Sequence, residues 1–175
     1  RLAMVYNDLN QLDNGIDHLK KARGFFKNLN NQTMLVYSES NLGEIFLKKQ
    51  KLDSAFIHYR QAHEYAKTLG DQEEYITTLL AMANVKLEQN KPAESEKYAQ
   101  NALSKAKNHG YSNSEQKAYD IMYKVALKNG NVGKALSYRN AFIHLKDSLS
   151  NIEIKERVAA LETKYESAKK EQEIQ

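Results

Sequence analysis

Histidine is the residue type in this chain best suited to bind a metal, and its spacing argues against that use. His58 and His63 are five positions apart, so they do not share a helix face, and no Asp or Glu accompanies them at the spacing of a zinc-binding helix. His18 and His58 are 40 positions apart, and Tyr98 and Tyr138 continue the same phase. Replacement of His by Tyr indicates a partly buried amphipathic ring, so we predict no metal site.

Side chains for covalent catalysis and phosphate transfer are equally scarce. The chain has no cysteine, no glycine-rich phosphate loop and no serine in a nucleophile elbow, and its seven glycines fall mostly at predicted helix ends or crossings. Without cysteine, a disulfide framework and a Cys-based zinc site are both excluded. We therefore predict a protein without catalytic residues or a cofactor.

The charge balance also limits the partners. Lys and Arg number 26 against 22 Asp and Glu, and the net charge of +4 is a mild excess. Nucleic-acid binding requires a denser basic patch, so we predict none in this segment. Most of the eleven tyrosines fall at repeated packing positions, which favours a core role over base stacking. No apolar run reaches the roughly 18 residues of a membrane span.

The elements that position these residues repeat every 40 residues, four times. Small or apolar side chains recur in phase at three sets of positions: Leu2, Leu42, Met82 and Met122; Gly15, Ala55, Ser95 and Ala135; Ala22, Ala62, Ala102 and Phe142. A fixed period of this length is typical of a solenoid, in which each unit buries its apolar face only against its neighbours.

Each unit contains two apolar stripes at helical spacing, separated by a polar break, so we predict a helical hairpin per unit. The predicted helices are 12–29, 33–49, 52–69, 72–89, 92–109, 113–128 and 132–150. Pro92 suits a first helical turn, Gly70 and Gly110 suit left-handed helix ends, and Ser112 with Glu115 has capping-box spacing. The fold class is thus all-α, a right-handed α-solenoid of about four hairpins (about 1–31 in part, 32–70, 71–110 and 111–150) followed by a helix over 151–175.

Repeat two resembles the tetratricopeptide repeat (TPR). Leu42 and Gly43 match the Leu-Gly pair of that family, and Phe46, Ala55, Tyr59 and Ala62 match its aromatic and small positions. Ala3, Gly43 and Ala83 would hold a close helix crossing, and Tyr123 departs from that rule in the last unit. The 40-residue period exceeds the usual 34 of the family, which implies longer helices.

The resemblance implies that the first helix of each unit lines a concave groove. One stripe of those helices consists of Tyr37, Asn41, Glu44 and Lys48; Thr77, Ala81, Asn84 and Glu88; and Lys117, Ile121, Lys124 and Lys128. Such a mixed polar surface suits a peptide or a partner helix, and a solvated helix face is the alternative. Capture of a carboxyl terminus is not favoured, because Glu44 stands where a clamp needs an amide.

The pattern changes near residue 151. An apolar stripe on a charged background consists of Ile154, Val158, Leu161, Tyr165 and Ala168, with spacings of a heptad. Three interpretations remain open, namely continuation of the last repeat, a fold-back cap, and a dimerising or signal-relaying coiled coil.

Residues 146–149 and 161–166, with the Lys/Glu-rich stretch around them, resemble the end of the repeat region in sensory proteins of Bacteroidetes. In that family a membrane helix and then a histidine kinase or helix-turn-helix output domain commonly follow. The resemblance implies an extracytoplasmic interaction or sensory module of a signal-transduction protein. The sequence opens within a repeat and closes within a helical pattern, so we expect a fragment, and the heptad stripe favours a homodimer through the C-terminal helix. The alternative is a cytosolic scaffold or peptide receptor attached to a DNA-binding regulator.

Overall fold

The structure, a computed structural model, describes the backbone of residues 11–174 and the side chains of residues 11–151, with several more between 154 and 163. Its described part contains seven α-helices: α1 (Leu12–Asn28), α2 (Gln32–Lys48), α3 (Leu52–Leu69), α4 (Gln72–Glu88), α5 (Pro92–His109), α6 (Ser112–Lys128) and α7 (Val132–Ile174). The first six agree with the predicted bounds to within one residue. Three complete hairpins follow α1, and the predicted first helix of unit one, with Leu2 and Ala3, lies outside the described residues.

One backbone device ends every helix from α1 to α6. Each turn holds a single left-handed residue, and these residues recur every 20 positions: Asn30, Gln50, Gly70, Asn90, Gly110 and Gly130, with φ between 50° and 72°. The next N–H donates to a carbonyl five residues back, for example Asp71 N to Ala66 O at 3.1 Å. This Schellman arrangement satisfies the last carbonyls of each helix and fixes each new helix to begin two residues after the left-handed one.

That register makes the capping-box prediction at Ser112 wrong. Because Gly110 is the left-handed residue, Tyr111 takes the N-cap position and Ser112 is already the first helical residue. No side-chain cap forms there. By contrast, Asp71 accepts a hydrogen bond from the Glu74 N–H at 3.0 Å, in the position and with the negative charge that a helix start favours.

The hairpins stack into a helical solenoid. Each helix packs against the helices before and after it in sequence, and the first helices α2, α4 and α6 also contact one another directly. Within the described range the second helices α1, α3, α5 and α7 make no such contacts among themselves. Because the inner side of a curved stack is the shorter one, the first helices line the concave face, as the family resemblance implied.

The helix crossing within each hairpin depends on a matched pair of side-chain sizes. A Cβ placed on Gly43 of α2 would lie 2.9 Å from three ring carbons of Tyr59 on α3. One unit later the same two positions hold Ala83 and Ala99, both fully buried. In the last unit Arg139 lies over the ring of Tyr123, 5.6 Å from its centroid. The three units thus fill the same crossing with different pairs of side chains.

Helix α7 continues without a break from the last repeat, so the fold-back interpretation is wrong. Neither glycine nor proline occurs after Gly133, and nothing in the sequence forces the helix to end near residue 150. Its 43 residues correspond to a length of about 64 Å, against about 25 Å for the 17 residues of α6 that it packs against.

Candidate binding groove

The predicted groove residues lie on the concave faces of α2, α4 and α6. Tyr37, Lys48, Thr77, Asn84, Glu88, Lys117, Lys124 and Lys128 are exposed, and Asn41, Glu44 and Ala81 are partly exposed. Ile121 is the exception, since its side chain is 2% exposed. The stripe thus consists of polar groups above an apolar floor.

An open cleft of about 330 Å³ concentrates these features at the carboxyl-terminal end of the groove. Its apolar lining comes from Leu80 of α4, Ile121 of α6 and Phe142 of α7. The polar lining consists of Asn84, Gln116, Lys117, Asp120 and Lys124. Four of the predicted groove residues, Asn84, Lys117, Ile121 and Lys124, are therefore brought together at one cleft.

Intramolecular contacts separate the predicted lysines into two groups. Lys128 Nζ donates to the Leu87 carbonyl at 2.9 Å and lies 3.4 Å from Asn90 Oδ1, so it caps the end of α4. Lys48 pairs with Glu44 one turn away on α2, with 3.2 Å between Nζ and Oε1. Lys128 is therefore held by a contact to another helix, whereas Lys48 forms only an exposed pair within its own helix.

The two cleft lysines form no ion pair with another helix in the described part of the chain. Lys124 Nζ lies 2.6 Å from Asp120 Oδ2 in an exposed pair one turn apart, a type of contact that contributes little stability. Lys117 forms no ion pair with any of the described residues. The cleft therefore has two lysines against one carboxylate, which favours an acidic ligand.

At the opposite end of the groove, the Asn41 amide already forms one hydrogen bond within the protein. Asn41 Nδ2 donates to the Tyr37 carbonyl of its own helix at 2.8 Å. The Oδ1 atom of Asn41 can accept a hydrogen bond from a ligand. The Tyr37 side chain is 45% exposed. This part of the groove presents an aromatic ring and an acceptor.

Sequence reasoning missed Gln116, Asp120, Leu80 and the role of Phe142. Leu80 and Asp120 occupy equivalent positions one period apart, just before the predicted stripe, so a wider stripe would have included them. Phe142 replaces the alanine that closes the earlier units, Ala62 and Ala102, and that substitution was a visible signal. No following repeat covers this position in the described chain, which leaves room for a large ring.

His58 and His63 have structural partners. His58 Nδ1 donates to Glu39 at 2.6 Å, and its ring stacks on Phe46 with centroids 5.1 Å apart. His63 is buried, and its Nδ1 lies 3.0 Å from Thr78 Oγ1. No set of three or more metal-binding His, Asp or Glu side chains occurs among the residues that the structure describes.

The predicted relay stripe lies on α7. Ile154 and Leu161 are 57% and 61% exposed, whereas the side chains of Val158, Tyr165 and Ala168 lie outside the described ones. Leu136 and Ile143 are exposed on the same face of the helix, since 18 residues make five helical turns. Of the helices that the structure describes, none is both long and apolar enough to cross a bilayer.

Comparison with known proteins supports the repeat assignment. Residues 31–108 match the family model of the tetratricopeptide repeat. No curated protein sequence matches the chain. The TPR domain of Arabidopsis FLU has a TM-score of 0.64 and 20% identity, covering 67% of this chain and 98% of that one.

Two longer proteins share the fold at similar identity. Aspartyl phosphate phosphatase F from Bacillus subtilis gives a TM-score of 0.80 at 18% identity, covering 86% of this chain and 40% of its own. A Rap protein complexed with competence and sporulation factor gives 0.72 at 17% identity, covering 82% and 40%. This chain thus spans less than half the length of either protein. Residues 31–108 thus match the tetratricopeptide repeat, and the described chain is an all-α helical solenoid.

Proposed function

We propose that the concave groove binds a segment of a partner protein, with the cleft at Leu80, Ile121 and Phe142 as its anchor. The repeat fold is in general a non-catalytic scaffold for protein interaction. The observation that carries the proposal is the cleft itself, an apolar pocket of about 330 Å³ beside Lys117 and Lys124. Concave sites with an apolar lining and a few placed polar groups are the usual form of a binding site.

The chemistry of the cleft defines the segment. An apolar side chain of the ligand would fill the pocket and contact Phe142, while an adjacent Asp or Glu would pair with Lys117 or Lys124. Asn84 offers both a donor and acceptors for the ligand backbone. The ligand is therefore a peptide or helix that carries an apolar residue next to an acidic one.

A display experiment tests this proposal. Random peptides selected on the protein should be enriched in an apolar residue beside Asp or Glu, and Lys117→Glu with Lys124→Glu should weaken the selected peptides about tenfold or more. Lys21→Glu with Lys97→Glu is the matched control, because it makes the same charge change at exposed lysines of α1 and α5. Selected peptides that bind the groove variant as tightly as the parent would refute the proposal.

We further propose that the module is sensory and that α7 carries the response. The length of α7, which exceeds that of α6 by about 39 Å, supports this, as does its exposed apolar face at Leu136, Ile143, Ile154 and Leu161. Ligand binding against Phe142 would shift α7 relative to α6, and pairing of two α7 helices would transmit the shift. The resemblance to Bacteroidetes sensors favours the extracytoplasmic part of a membrane protein over a cytosolic scaffold that regulates an attached DNA-binding domain.

The full-length gene distinguishes these two versions. The membrane version requires a leader peptide before residue 1 and an apolar span of about 20 residues soon after residue 175. A helix-turn-helix domain without either feature would support the cytosolic scaffold instead. Sedimentation of the chain, with Leu161→Asp as a variant, tests the pairing of α7: we expect a dimer that the variant dissociates.

A further inference from the structure

On the face opposite the groove, a polar pocket of about 270 Å³ lies between the first two units. Glu39 lies at about 200° around α2 from the groove residue Tyr37, so the pocket is independent of the groove. Its lining side chains come from α1, α2 and α3: Lys20, Arg23, Lys27, Glu39, Gln61 and Tyr65.

A buried carboxylate forms the base of this pocket. Glu39 is 2% exposed, and three side chains donate to it. His58 Nδ1 lies 2.6 Å from Oε2, Arg23 lies 3.3 Å from Oε1, and the Gln61 amide nitrogen, when turned toward Glu39, lies 3.0 and 3.1 Å from the two oxygens. The carboxylate thus holds Arg23 and Gln61 in place at the wall of the pocket.

The repeat itself shows that the fold does not require this arrangement. The positions equivalent to Glu39 hold Leu79 in the third unit and Tyr119 in the fourth. A buried ion pair is seldom more stabilising than well-packed apolar side chains at the same place. Glu39 is therefore better explained by what it positions than by what it stabilises.

The cations at the mouth outnumber this one carboxylate. Lys20, Arg23 and Lys27 follow each other at i, i+3 and i+7 on one face of α1, where neighbouring like charges repel. Lys20 and Lys27 are exposed and form no ion pair with the described part of the chain. Even with Glu39 ionised, the pocket has two positive charges in excess.

Residue 24, at the mouth of the pocket, is a glycine with open space around it. Nothing lies within 4 Å of a Cβ built on Gly24, and the equivalent positions carry Glu64 and Ser104. A carboxylate at this position in the next unit would oppose an anion. Between the first two units, the cationic face is thus combined with a mouth that carries no opposing carboxylate.

We propose that this pocket binds a phosphate group, either free phosphate or a small phosphate monoester. Arg23 is preoriented by Glu39 and keeps further N–H donors for the ligand, Lys20 and Lys27 add charge, and the Gln61 and Tyr65 side chains add neutral hydrogen-bonding groups. A preoriented guanidinium loses less conformational freedom on binding than a mobile one. The volume accommodates a phosphate with a small organic substituent.

Titrations followed by NMR of the ¹⁵N-labelled chain test this proposal. Inorganic phosphate or O-phosphoserine should produce saturable shifts at the Gly24 N–H, the Arg23 Nε–H and the Gln61 amide, and the tighter of the two identifies the source of the group. Succinate, an oxyanion without phosphorus, should bind at least about tenfold more weakly. Absence of saturable shifts with both phosphates, or equal affinity for succinate, would overturn the proposal.

Variants at the mouth of the pocket provide the specific controls. Gly24→Glu copies the next unit at an exposed helical position with open space, so the protein should fold, and phosphate affinity should fall about tenfold or more. Gly24→Gln, of the same size without the charge, should stay within about threefold of the parent. Lys20→Gln with Lys27→Gln should weaken binding, whereas Lys21→Gln with Lys97→Gln should not. Unchanged affinity in Gly24→Glu would contradict the site.

Discussion

The contact between Gly43 and Tyr59 gives the sharpest prediction about packing. A methyl group on Gly43 would lie 2.9 Å from Cγ, Cδ1 and Cε1 of the Tyr59 ring, and that ring is only 7% exposed, so it cannot swing away. Burial, reinforced by the negative charge of Glu44, raises the pKa of Tyr59, which agrees with its enclosed position.

The magnitude follows from two opposing effects. Overpacking a core costs about 1 to 3 kcal/mol, while replacing glycine by alanine inside a helix gains about 1 kcal/mol. We therefore expect Gly43→Ala to lower the free energy of unfolding by about 0 to 2 kcal/mol, and Gly43→Leu to lower it further. Urea unfolding followed by circular dichroism measures both.

A double-mutant cycle isolates the clash. Tyr59→Ala alone should cost about 3 kcal/mol or more, because it empties a buried site. In that background, Gly43→Ala should become stabilising by about 1 kcal/mol, because the pair then matches Ala83 and Ala99 of the next unit. Gly24→Ala, with open space around its Cβ, is the matched control and should stabilise the parent. If Gly43→Ala stabilises the parent as Gly24→Ala does, the account of the crossing is wrong.

Three further predictions concern single side chains. Burial lowers the pKa of His63 below the usual 6.5, so the unfolded chain takes up a proton at this residue before the folded chain does. The free energy of unfolding is therefore unaffected by His63 above pH 6.5 and falls as the pH drops from there toward the folded-state pKa. His63→Phe should remove this part of the decline in urea unfolding between about pH 7.5 and 5. Asp71→Ala should lower the free energy of unfolding by about 1 kcal/mol through loss of the helix cap, whereas Asp71→Asn should preserve it in thermal melts. Lys128→Met should cost up to about 1 kcal/mol because the Leu87 carbonyl loses one of its two donors and keeps the Asn90 N–H, and a variant as stable as the parent would show that this contact contributes nothing.

The period and the turns could be predicted because their signals are local. A left-handed residue every 20 positions needs Gly or a tolerant polar residue, and the sequence shows them at Gln50, Gly70, Asn90 and Gly110. The error at Ser112 arose from a side-chain pattern that the backbone of the turn overrides.

The chemistry of the groove could be predicted only in part because its contacts join different units. The stripe located the face, but nothing local shows that Lys128 reaches Leu87, 41 positions away. Glu39 resembles any exposed helical glutamate until it is aligned with Leu79 and Tyr119, and its burial then becomes apparent. The comparison across one period was applied to the small, aromatic and histidine positions, and at Glu39 it would have indicated burial as well.

The most direct test of the central claim is the site of contact with a selected peptide, measured by nuclear Overhauser effects between the peptide and the methyl groups of the protein. We expect the apolar side chain of the peptide to contact Leu80 and Ile121, with aromatic contacts to Phe142. Contacts confined to the second helices α3 and α5, with Leu80 and Ile121 unaffected, would contradict the claim that the concave cleft is the binding site.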